Sequence, residues 1–278
     1  MPYLDIRNLR VSLKLPSGQF DAVRGVDIAV EKGEIYGLVG ESGSGKTMSC
    51  MTLLGLTPKN AVVDAERLQL DDIDLLTADW SKIRGCRVTM IFQDPAAALN
   101  PVFTIGSQID GVLRRHTKFD RNTRFLRALQ LLEDVGLPDP KGVLKRYPHQ
   151  LSGGMQQRAL IALALSAGAD LLIADEPTTA LDVTIQAQIL KVLRGLRDQY
   201  GLTILFITHD LGVVANICDR ATVLRLGQVM ETGPVNELFK RPTHPYTKAL
   251  LAALPHHGKR GQPLKTVPAN LAVSQETR

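Results

Sequence analysis

The sequence of 278 residues has few cysteines and no long hydrophobic run. Cys50, Cys86 and Cys218 lie far apart and form no CxxC pair, which predicts reduced, buried thiols rather than a disulfide framework. No apolar run approaches the roughly 20 residues needed to span a bilayer. The charged N-terminus MPYLDIRNLR lacks the apolar segment of a signal peptide. We therefore expect a cytosolic protein that reaches a membrane only by docking on another subunit.

Charge of one sign is not dominant either. The chain has 33 lysines and arginines and 28 aspartates and glutamates, a formal net charge of +5. This mild excess permits contact with phosphates or an anionic membrane surface, but it does not by itself indicate nucleic acid. Hydrophobic residues make up 44% of the chain, an ordinary globular composition with enough apolar residues for a sizeable core.

Apolar segments of strand length alternate with helical segments along the chain. Loose alternation over residues 3–30, interrupted by PSGQ, predicts antiparallel strands at the N-terminus. The predicted core strands are IYGLVG at 35–40, CRVTMIFQ at 86–93, LLIAD at 171–175 and TILFIT at 203–208, and ATVLRL with QVMETG predicts a hairpin around Gly227. The order favours an α/β protein with a mostly parallel sheet covered on both faces.

Helical segments separate these predicted strands. GKTMSCMTLLGL follows the first core strand, and residues from about 94 to 150 lack strand signals. RFLRALQLLEDVGL in that region predicts an amphipathic helix ending at Gly136, so we expect a helical insertion. One face of a further helix carries Ile185, Ile189, Leu193, Leu196 and Tyr200.

The segment GESGSGKT matches the pattern G-x-x-x-x-G-K-[ST], between a predicted strand and a predicted helix. Backbone N–H groups of such a loop wrap phosphates, and the helix N-terminus adds its dipole. Lys46 would reach the β- and γ-phosphates, and the Thr47 hydroxyl would bind Mg²⁺. The predicted ATP-binding residues are Gly40, Glu41, Ser42, Gly43, Ser44, Gly45, Lys46 and Thr47.

Two acidic residues end the predicted strand LLIAD. The carboxyl ends of parallel strands face the ligand crevice of an open sheet. Asp175 suits the Mg²⁺ shell, and Glu176 could orient or deprotonate the water that attacks the γ-phosphate. Alternatively, Asp175 and Glu176 are only a polar strand end before a turn. The presence of the phosphate loop disfavours this alternative.

A second anion site is predicted at LSGGMQQR, residues 151–158, which opens another helix. Its two glycines keep side chains away from the unpaired N–H groups of the helix N-terminus. A single nucleotide does not require two such sites, so the second one needs an explanation from the rest of the chain.

Together these motifs resemble those of the ATP-binding subunits of ABC transporters. GESGSGKT resembles the Walker A motif, LLIADE the Walker B motif and LSGGMQQR the family's signature. Gln93 in MIFQDP resembles the Q-loop, Asp182 in TALD the D-loop and His209 in ITHD the switch histidine. The order and spacing fit from about residue 5 to residue 240.

The resemblance implies a P-loop NTPase fold of the ABC type, with a mostly parallel core sheet, an N-terminal antiparallel β part and a helical subdomain. We expect an ATP-binding domain over residues 1–254, its helical subdomain at about 94–150, and a basic tail containing proline and glycine over 255–278.

The resemblance also assigns roles to individual residues. Two subunits would pack head to tail, so that each signature contacts the ATP bound to the other chain, which accounts for the second anion site. The implied catalytic residues are Glu176, His209 and Gln93; the implied Mg²⁺ ligands are Thr47, Gln93 and Asp175; and the implied contacts with the partner's ATP are Ser152, Gly153, Gly154 and Gln157.

Two further segments resemble the subgroup of importers for peptides and nickel. They are QDPAAALNPVFTIGSQI at 93–109 and HPYTKALLAALP at 244–255. The implied partners are integral membrane permease subunits, a second ATP-binding subunit that is expected to be a different chain, and, indirectly, an extracytoplasmic cargo-binding protein. We expect ATP and Mg²⁺ as ligands, no nucleic-acid partner, and a peripheral position on the cytoplasmic face of the cell membrane.

The chain departs from the subgroup at two points. Many members carry a cysteine-bearing segment that holds an iron–sulfur cluster, whereas here no cysteine follows Cys218, so we expect no such cluster. Phe20 is a candidate for the aromatic residue that stacks on adenine, but Leu13 or Leu15 occupies the usual register. That aromatic is therefore not assigned.

Two alternative functions and two further questions remain open from the sequence. A soluble ABC-type ATPase acting on nucleic acid or the ribosome would usually have two cassettes or a long coiled coil, and this chain shows neither. A regulatory cassette without hydrolysis is disfavoured by intact Lys46, Glu176 and His209. The cargo, peptide or nickel and metal chelates, and the choice between a homodimer and a heterodimer are not determined.

Overall fold

The computed structural model describes residues 1–179 and 181–253. The strands are β1 (Leu4–Leu15), β2 (Gly18–Val30), β3 (Ile35–Val39), β4 (Ala61–Asp64), β5 (Arg67–Leu70), β6 (Ile73–Asp74), β7 (Val88–Ile91), β8 (Leu171–Asp175), β9 (Thr203–Thr208), β10 (Arg220–Arg225) and β11 (Gln228–Pro234). The helices are α1 (Lys46–Thr52), α2 (Trp80–Ile83), α3 (Pro95–Ala98), α4 (Ile105–His116), α5 (Arg121–Asp134), α6 (Pro140–Val143), α7 (Gly153–Leu165), α8 (Val183–Tyr200), α9 (Leu211–Ile217), α10 (Val235–Lys240) and α11 (Pro245–Ala252).

The central sheet has six strands in the order β11-β10-β3-β9-β8-β7. Its neighbours pair in parallel except for the hairpin of β10 and β11. Val39 pairs with Thr208, and Asp175 pairs with Ile207, so the carboxyl ends of β3, β8 and β9 lie side by side. The prediction of a mostly parallel α/β sheet is confirmed, and this edge is where a crevice for a ligand is expected.

Both faces of the central sheet are buried, but the two covers differ. One face packs with helices α4, α5, α7, α8 and α9 in a single apolar cluster. The other face packs with α1 and with a second sheet, which is antiparallel, has the order β2-β1-β5-β6 and includes β4 paired with β1. The predicted N-terminal antiparallel strands are thus β1 and β2, and they form part of a larger layer.

Strands β4 to β6 had no prediction from the sequence. Each is four residues long or shorter, and in β5 only Leu68 and Leu70 are buried. Their pairing with β1 joins Ile6 to Leu68 and Leu4 to Leu70. Such short segments carry little periodic signal, and contacts far apart in the sequence decide their conformation.

The region from residue 94 to residue 150 contains α3 to α6 and a 3₁₀ turn, with no strand among its residues, all of which are described. Ile105, Ile109 and Leu113 recur every four residues on α4 and are all buried. The predicted amphipathic helix is α5, which Asp120 caps by accepting a hydrogen bond from the Thr123 N–H at 2.7 Å. The limits of the domain and of this helical part stay a prediction.

Two predicted elements have different limits in the structure. The strand predicted over residues 86–93 covers only Val88–Ile91, because Phe92 and Gln93 are exposed beyond the end of the sheet. The hairpin predicted around Gly227 is confirmed, and Leu226 and Gly227 both adopt positive φ angles, of 48° and 80°.

No helix among residues 1–179 and 181–253 combines the length and the apolar character that crossing a bilayer requires. The predicted tail at 255–278 lies outside the described residues.

Candidate functional site

A cavity of about 760 Å³ lies at the carboxyl ends of β3, β8 and β9. The loop between β3 and α1 forms one wall with residues 41–48, and Asp175, Glu176 and His209 line the same cavity. The predicted phosphate loop and the predicted acidic residues therefore line one crevice. It lies where parallel α/β sheets bind their ligands.

Lys46 is held inside the phosphate loop by three oxygen atoms. Its Nζ donates to the carbonyl oxygens of Gly40 and Glu41 at 2.7 and 2.8 Å, and lies 3.4 Å from the Ser44 hydroxyl. Burial lowers the pKa of Lys46, and the carboxylates of Glu176 and Asp175 oppose that effect. The ammonium group is thus fixed within the loop, where a phosphate oxygen would be a favourable further partner.

Glycine is required at two positions of the loop for different reasons. A Cβ on Gly40 would lie 2.2 Å from the Leu224 carbonyl oxygen, so a side chain there would displace the backbone. Gly45 has a φ angle of 97°, and a Cβ on it would lie 2.7 Å from the Ala22 carbonyl oxygen. The loop is consequently packed against β2 and the end of β10.

Thr47 and Asp175 bring oxygen atoms together at the floor of the cavity. The Thr47 hydroxyl donates to Oδ2 of Asp175 at 3.1 Å, and Asp175 is 8% exposed. Burial raises the pKa of Asp175, while the Thr47 hydrogen bond acts in the opposite direction. A hydroxyl beside a carboxylate is an oxygen donor set of the kind Mg²⁺ prefers, so these two residues fit the predicted metal site.

Glu176 is the point at which the predicted catalytic residues meet. Its carboxylate accepts hydrogen bonds from Gln93 Nε2 at 3.1 Å and from the Thr179 hydroxyl at 2.9 Å, and His209 Nδ1 lies 2.9 Å from it. Burial alone would raise the pKa of Glu176, but the hydrogen bonds from His209 and Thr179 outweigh it and lower the pKa. The group is therefore an ionised carboxylate at neutral pH.

The backbone at Glu176 is unusual for a residue with a side chain. Its φ angle is 47°, in the left-handed region, directly after the end of β8. Such conformations are unfavourable, and they cluster at functional sites where the surrounding structure enforces them. Here the carboxylate of Glu176 lies within hydrogen-bond distance of Gln93, Thr179 and His209.

Gln93 was predicted to bind Mg²⁺, but its side chain contacts Glu176 and forms no hydrogen bond with Thr47 or Asp175. Its amide lies against Glu176, next to the end of β7, and Gln93 is exposed. Thr179 was missed by sequence reasoning, although the turn that follows Glu176 places it three residues later, within reach of the carboxylate. The role of Gln93 as a metal ligand stays a prediction.

The signature segment forms a separate surface. The Ser152 hydroxyl caps α7 by accepting a hydrogen bond from the Met155 N–H at 3.4 Å, and Ser152 and Gly153 are exposed. These residues are absent from the lining of the cavity described above. Within the described chain, the two predicted anion sites are therefore distinct, as expected for a site completed by another subunit.

Gln157 differs from the other predicted signature residues. It is 1% exposed, one turn into α7, and its Nε2 has no hydrogen-bond partner among the described residues. The side chain lies below the surface of the single chain, and the assignment of Gln157 to the partner's ATP stays a prediction. Asp182, the predicted D-loop residue, is exposed and caps α8 through the Ile185 N–H at 3.0 Å.

The sequence did not determine which residues form the apolar end of the cavity. Leu13 and Phe20 pair across β1 and β2, and both line the cavity together with Ala22. Leu15, the other residue considered for this register, is not part of the lining. The tight hairpin that joins Leu15 to Gly18 sets this pairing, and it was the signal available in the sequence. Leu250 of α11 also lines the cavity and had no prediction.

Comparison with known proteins gives two family matches. Residues 23–179 match the ABC transporter family, and residues 230–277 match the oligopeptide/dipeptide transporter C-terminal region. The chain is 46% identical to the oligopeptide transport ATP-binding protein OppD of Bacillus subtilis over 91% of its own length and 72% of that protein. It is also 46% identical to the dipeptide transport ATP-binding protein DppD of Lactococcus lactis subsp. cremoris, over 91% and 73%.

Solved structures resemble the fold over most of the chain. The dimeric ATP-binding cassette MJ0796 bound to ADP and Pi has a TM-score of 0.70 at 28% identity, covering 84% of this chain and 98% of that one. CbiO1 of Clostridium perfringens, part of the ABC transporter complex CbiONQ, has a TM-score of 0.72 at 25% identity, covering 86% and 91%.

Proposed function

The chain belongs to the ABC transporter family of ATP-binding proteins, and from this membership we propose that it hydrolyses ATP to drive a membrane importer of peptides. The observation that carries the proposal is the convergence of Lys46, Thr47, Asp175, Glu176 and His209 in one cavity. Relatives named for oligopeptide and dipeptide transport favour peptides over nickel or metal chelates as the cargo.

Each part of the cavity has a distinct role in this proposal. The N–H groups of the loop at residues 40–47 and Lys46 bind the phosphates of ATP. Leu13 and Phe20 form the apolar end of the cavity, which suits the adenine ring. Thr47 and Asp175 would hold Mg²⁺, with Gln93 as a further candidate. The ion, when bound, supplies positive charge next to the β- and γ-phosphates.

Glu176 orients the water that attacks the γ-phosphate. An ionised carboxylate accepts a hydrogen bond from that water, which directs the oxygen lone pair towards phosphorus. Gln93, Thr179 and His209 hold the carboxylate in place, and His209 and Gln93 are also exposed to the cavity. Residues that follow three different strands, β7, β8 and β9, thus form one catalytic group.

The signature segment completes the ATP site of another subunit. Ser152, Gly153 and Gly154 contact the γ-phosphate bound by the partner, so ATP joins the two chains and hydrolysis removes the group that joins them. A ligand shifts a conformational equilibrium only through its different affinities for the two states, and the γ-phosphate provides that difference. We expect a different ATP-binding chain as the partner and place the pair peripherally on the cytoplasmic face of the cell membrane.

Removing the Lys46 ammonium group tests the phosphate loop. Lys46→Ala should weaken ATP binding by about 10- to 100-fold, because a charge-assisted hydrogen bond to phosphate is lost. Calorimetric titration of the full chain with ATP measures the affinity. Lys46→Arg, which keeps the charge but not the compact shape, serves as the matched control and should lose less affinity. Wild-type affinity in Lys46→Ala would refute the assignment of this loop.

A docking surface for a membrane subunit lies beside Gln93. The QDPAAALNP segment contains α3, whose first turn Asp94 caps by accepting from the Ala96 N–H at 2.9 Å. Ala96 and Ala97 are exposed, as are Val102 and Phe103 just beyond. Phe103 also lines a cavity of about 690 Å³, together with residues of α4 and Leu163. Small and apolar exposed residues beside a concavity suit a short helix of a permease subunit.

A change of charge on this surface should uncouple transport from hydrolysis. Ala97→Glu is expected to reduce cargo-stimulated ATP hydrolysis by about 5-fold or more in the reconstituted complex, and to leave the basal rate nearly unchanged. Ala97→Gln, which has the same size without the charge, is the control. Gln93→Ala should lower the stimulated rate as well, because its contact with Glu176 links this surface to the cavity. Wild-type stimulation in both Ala97→Glu and Gln93→Ala would contradict the docking role of residues 93–101.

The function as a whole is tested by purification from membranes. The chain should co-purify from detergent extracts with integral membrane subunits, and peptide should stimulate its ATPase activity in liposomes. Co-purification with ribosomes or nucleic acid instead would replace the importer by a soluble ABC-type ATPase. Stimulation by nickel chelates, and not by peptides, would reassign the cargo.

A further inference from the structure

The turn between α4 and α5 concentrates the excess positive charge of the chain. Residues 114–127 contain six lysines and arginines and one acidic residue, Asp120, which gives this segment a net charge of +5. The formal net charge of the whole chain is also +5, so the charges of all other residues balance. The proposed function gives this cluster no role, and a polyanion is the kind of partner that it would attract.

Two of the six cations fix the shape of the turn. Arg124 Nε donates to Oδ1 of Asp110 on α4 at 2.6 Å, and its Nη1 donates to the carbonyl oxygen of Phe119 in the turn at 2.9 Å. The Arg127 guanidinium lies 5.3 Å from the centre of the Tyr200 ring. The contacts of Arg124 join α4, the turn and α5, so the surface they support is preorganised.

The other four cations face solvent without a partner. The acidic residue among them, Asp120, caps α5 by accepting from the Thr123 N–H at 2.7 Å. All four are exposed, and within the described ranges 1–179 and 181–253 they form no ion pair and no hydrogen bond; they are Arg114, Arg115, Lys118 and Arg121. Their charge is therefore available to an external anion.

Large apolar side chains are exposed among these cations. Phe119, Phe125 and Leu126 are 44%, 48% and 56% exposed. Phe119 follows Lys118 in the turn, and Phe125 lies four residues after Arg121, on the same face of α5. Water is an unfavourable environment for such side chains. The interface of a bilayer accommodates both kinds of group, because aromatic rings lie at the boundary of the acyl chains and cations lie among the headgroups.

We propose that the α4–α5 corner, residues 114–126, binds the anionic headgroups of a lipid bilayer and inserts Phe119 and Phe125 into the interface. Lysine and arginine form charge-assisted hydrogen bonds with headgroup phosphates. An anionic bilayer is favoured over nucleic acid because the chain belongs to a family of transporters, which work at membranes. Four unpaired cations stand at the low end of the clusters that bind anionic leaflets, so the contact is reversible and adds to docking on a permease subunit.

Flotation of the purified full chain with lipid vesicles measures this binding. The chain should bind vesicles of phosphatidylcholine in which about one lipid in three is phosphatidylglycerol, and it should not bind phosphatidylcholine alone. Binding should be lost near 1 M salt, where the screening length falls to about 3 Å. The double variant Lys118→Gln with Arg121→Gln should bind about 20-fold more weakly, since each cation near an anionic leaflet contributes about 5-fold.

A second pair of cations gives the matched control. Lys240 and Arg241 are also exposed, and no large apolar side chain is exposed within the described residues 227–253. Lys240→Gln with Arg241→Gln removes the same charge and should change vesicle binding by less than about 2-fold. Equal losses in the two double variants would reject the corner as the binding surface. Both should keep wild-type ATP affinity, which shows that the fold is intact.

Insertion is tested separately with Phe125→Trp and vesicles that contain brominated lipid. Trp80, on α2, is the only tryptophan of the chain. Bromine should quench the fluorescence added by Phe125→Trp and leave that of the wild-type chain unchanged. Binding without this quenching would reject the insertion, and tighter binding to single-stranded RNA than to the vesicles would replace the bilayer by nucleic acid. Failure of the proposed importer would show instead as the absence of permease subunits from detergent extracts.

Discussion

Replacing Glu176 by glutamine should lower the rate of ATP hydrolysis by about 10²- to 10⁴-fold and leave ATP binding intact. The amide keeps the size of the side chain, so the contacts from Thr179 and Gln93 can be largely retained. It carries no negative charge, however, and therefore orients the attacking water poorly. The bound γ-phosphate persists, and the closed pair of ATP-binding chains should accumulate.

Steady-state hydrolysis and ATP affinity measure the two halves of this prediction. Glu34→Gln is a suitable control for the loss of a carboxylate charge outside the cavity, because Glu34 is also buried and is absent from the lining. It lies at the amino end of β3, far along the strand from the loop. Near-normal turnover in Glu176→Gln would remove Glu176 from the catalytic role.

Replacing Gly153 by aspartate should abolish hydrolysis in the assembled complex. A unit charge about 4 Å from another interacts by about 4 kcal/mol at an effective dielectric constant of 20, which corresponds to about a 10³-fold effect. The introduced carboxylate would repel the γ-phosphate bound by the partner. ATP binding to the isolated chain should stay nearly unchanged, because residues 40–47 are untouched.

The structure has room for a side chain at position 153. A Cβ on Gly153 would have no atom closer than 4.0 Å, whereas one on Gly154 would lie 2.7 Å from Ile185. An aspartate in the first turn of α7 is moreover favoured by the helix dipole, so the fold should persist. Gly153→Asn, which is equal in size but uncharged, should retain more activity. Loss of ATP affinity in the isolated Gly153→Asp chain would contradict the shared site.

The sequence was most informative where backbone chemistry leaves few alternatives. The loop at residues 40–47 needs glycine for close approach and positive φ, and β8 and β9 are continuous apolar runs because both faces of the sheet are buried. These features place Asp175 and Glu176 beside the phosphate loop before any coordinates are known. Strand ends and phosphate-binding turns follow from local rules of this kind.

The remaining features depend on contacts between distant residues. Pairing with β1 determines β5, the register of the first hairpin brings Phe20 opposite Leu13, and burial removes Gln157 from the surface. The contact of Gln93 with Glu176 joins the ends of two strands, β7 and β8. No local pattern contains these facts, because long-range packing decides them.

A photoreactive ATP analogue with its reactive group on the γ-phosphate can show whether two subunits share one ATP site. The assembled complex should contain this chain as Lys46→Ala and an unmodified partner ATP-binding subunit. Because this chain then binds the analogue poorly itself, we expect the analogue bound to the partner to label its peptide at residues 151–158. If the peptide is labelled in the complex with unmodified Lys46 but not in the complex with Lys46→Ala, the label comes from ATP bound by the same chain. That result would contradict the shared site.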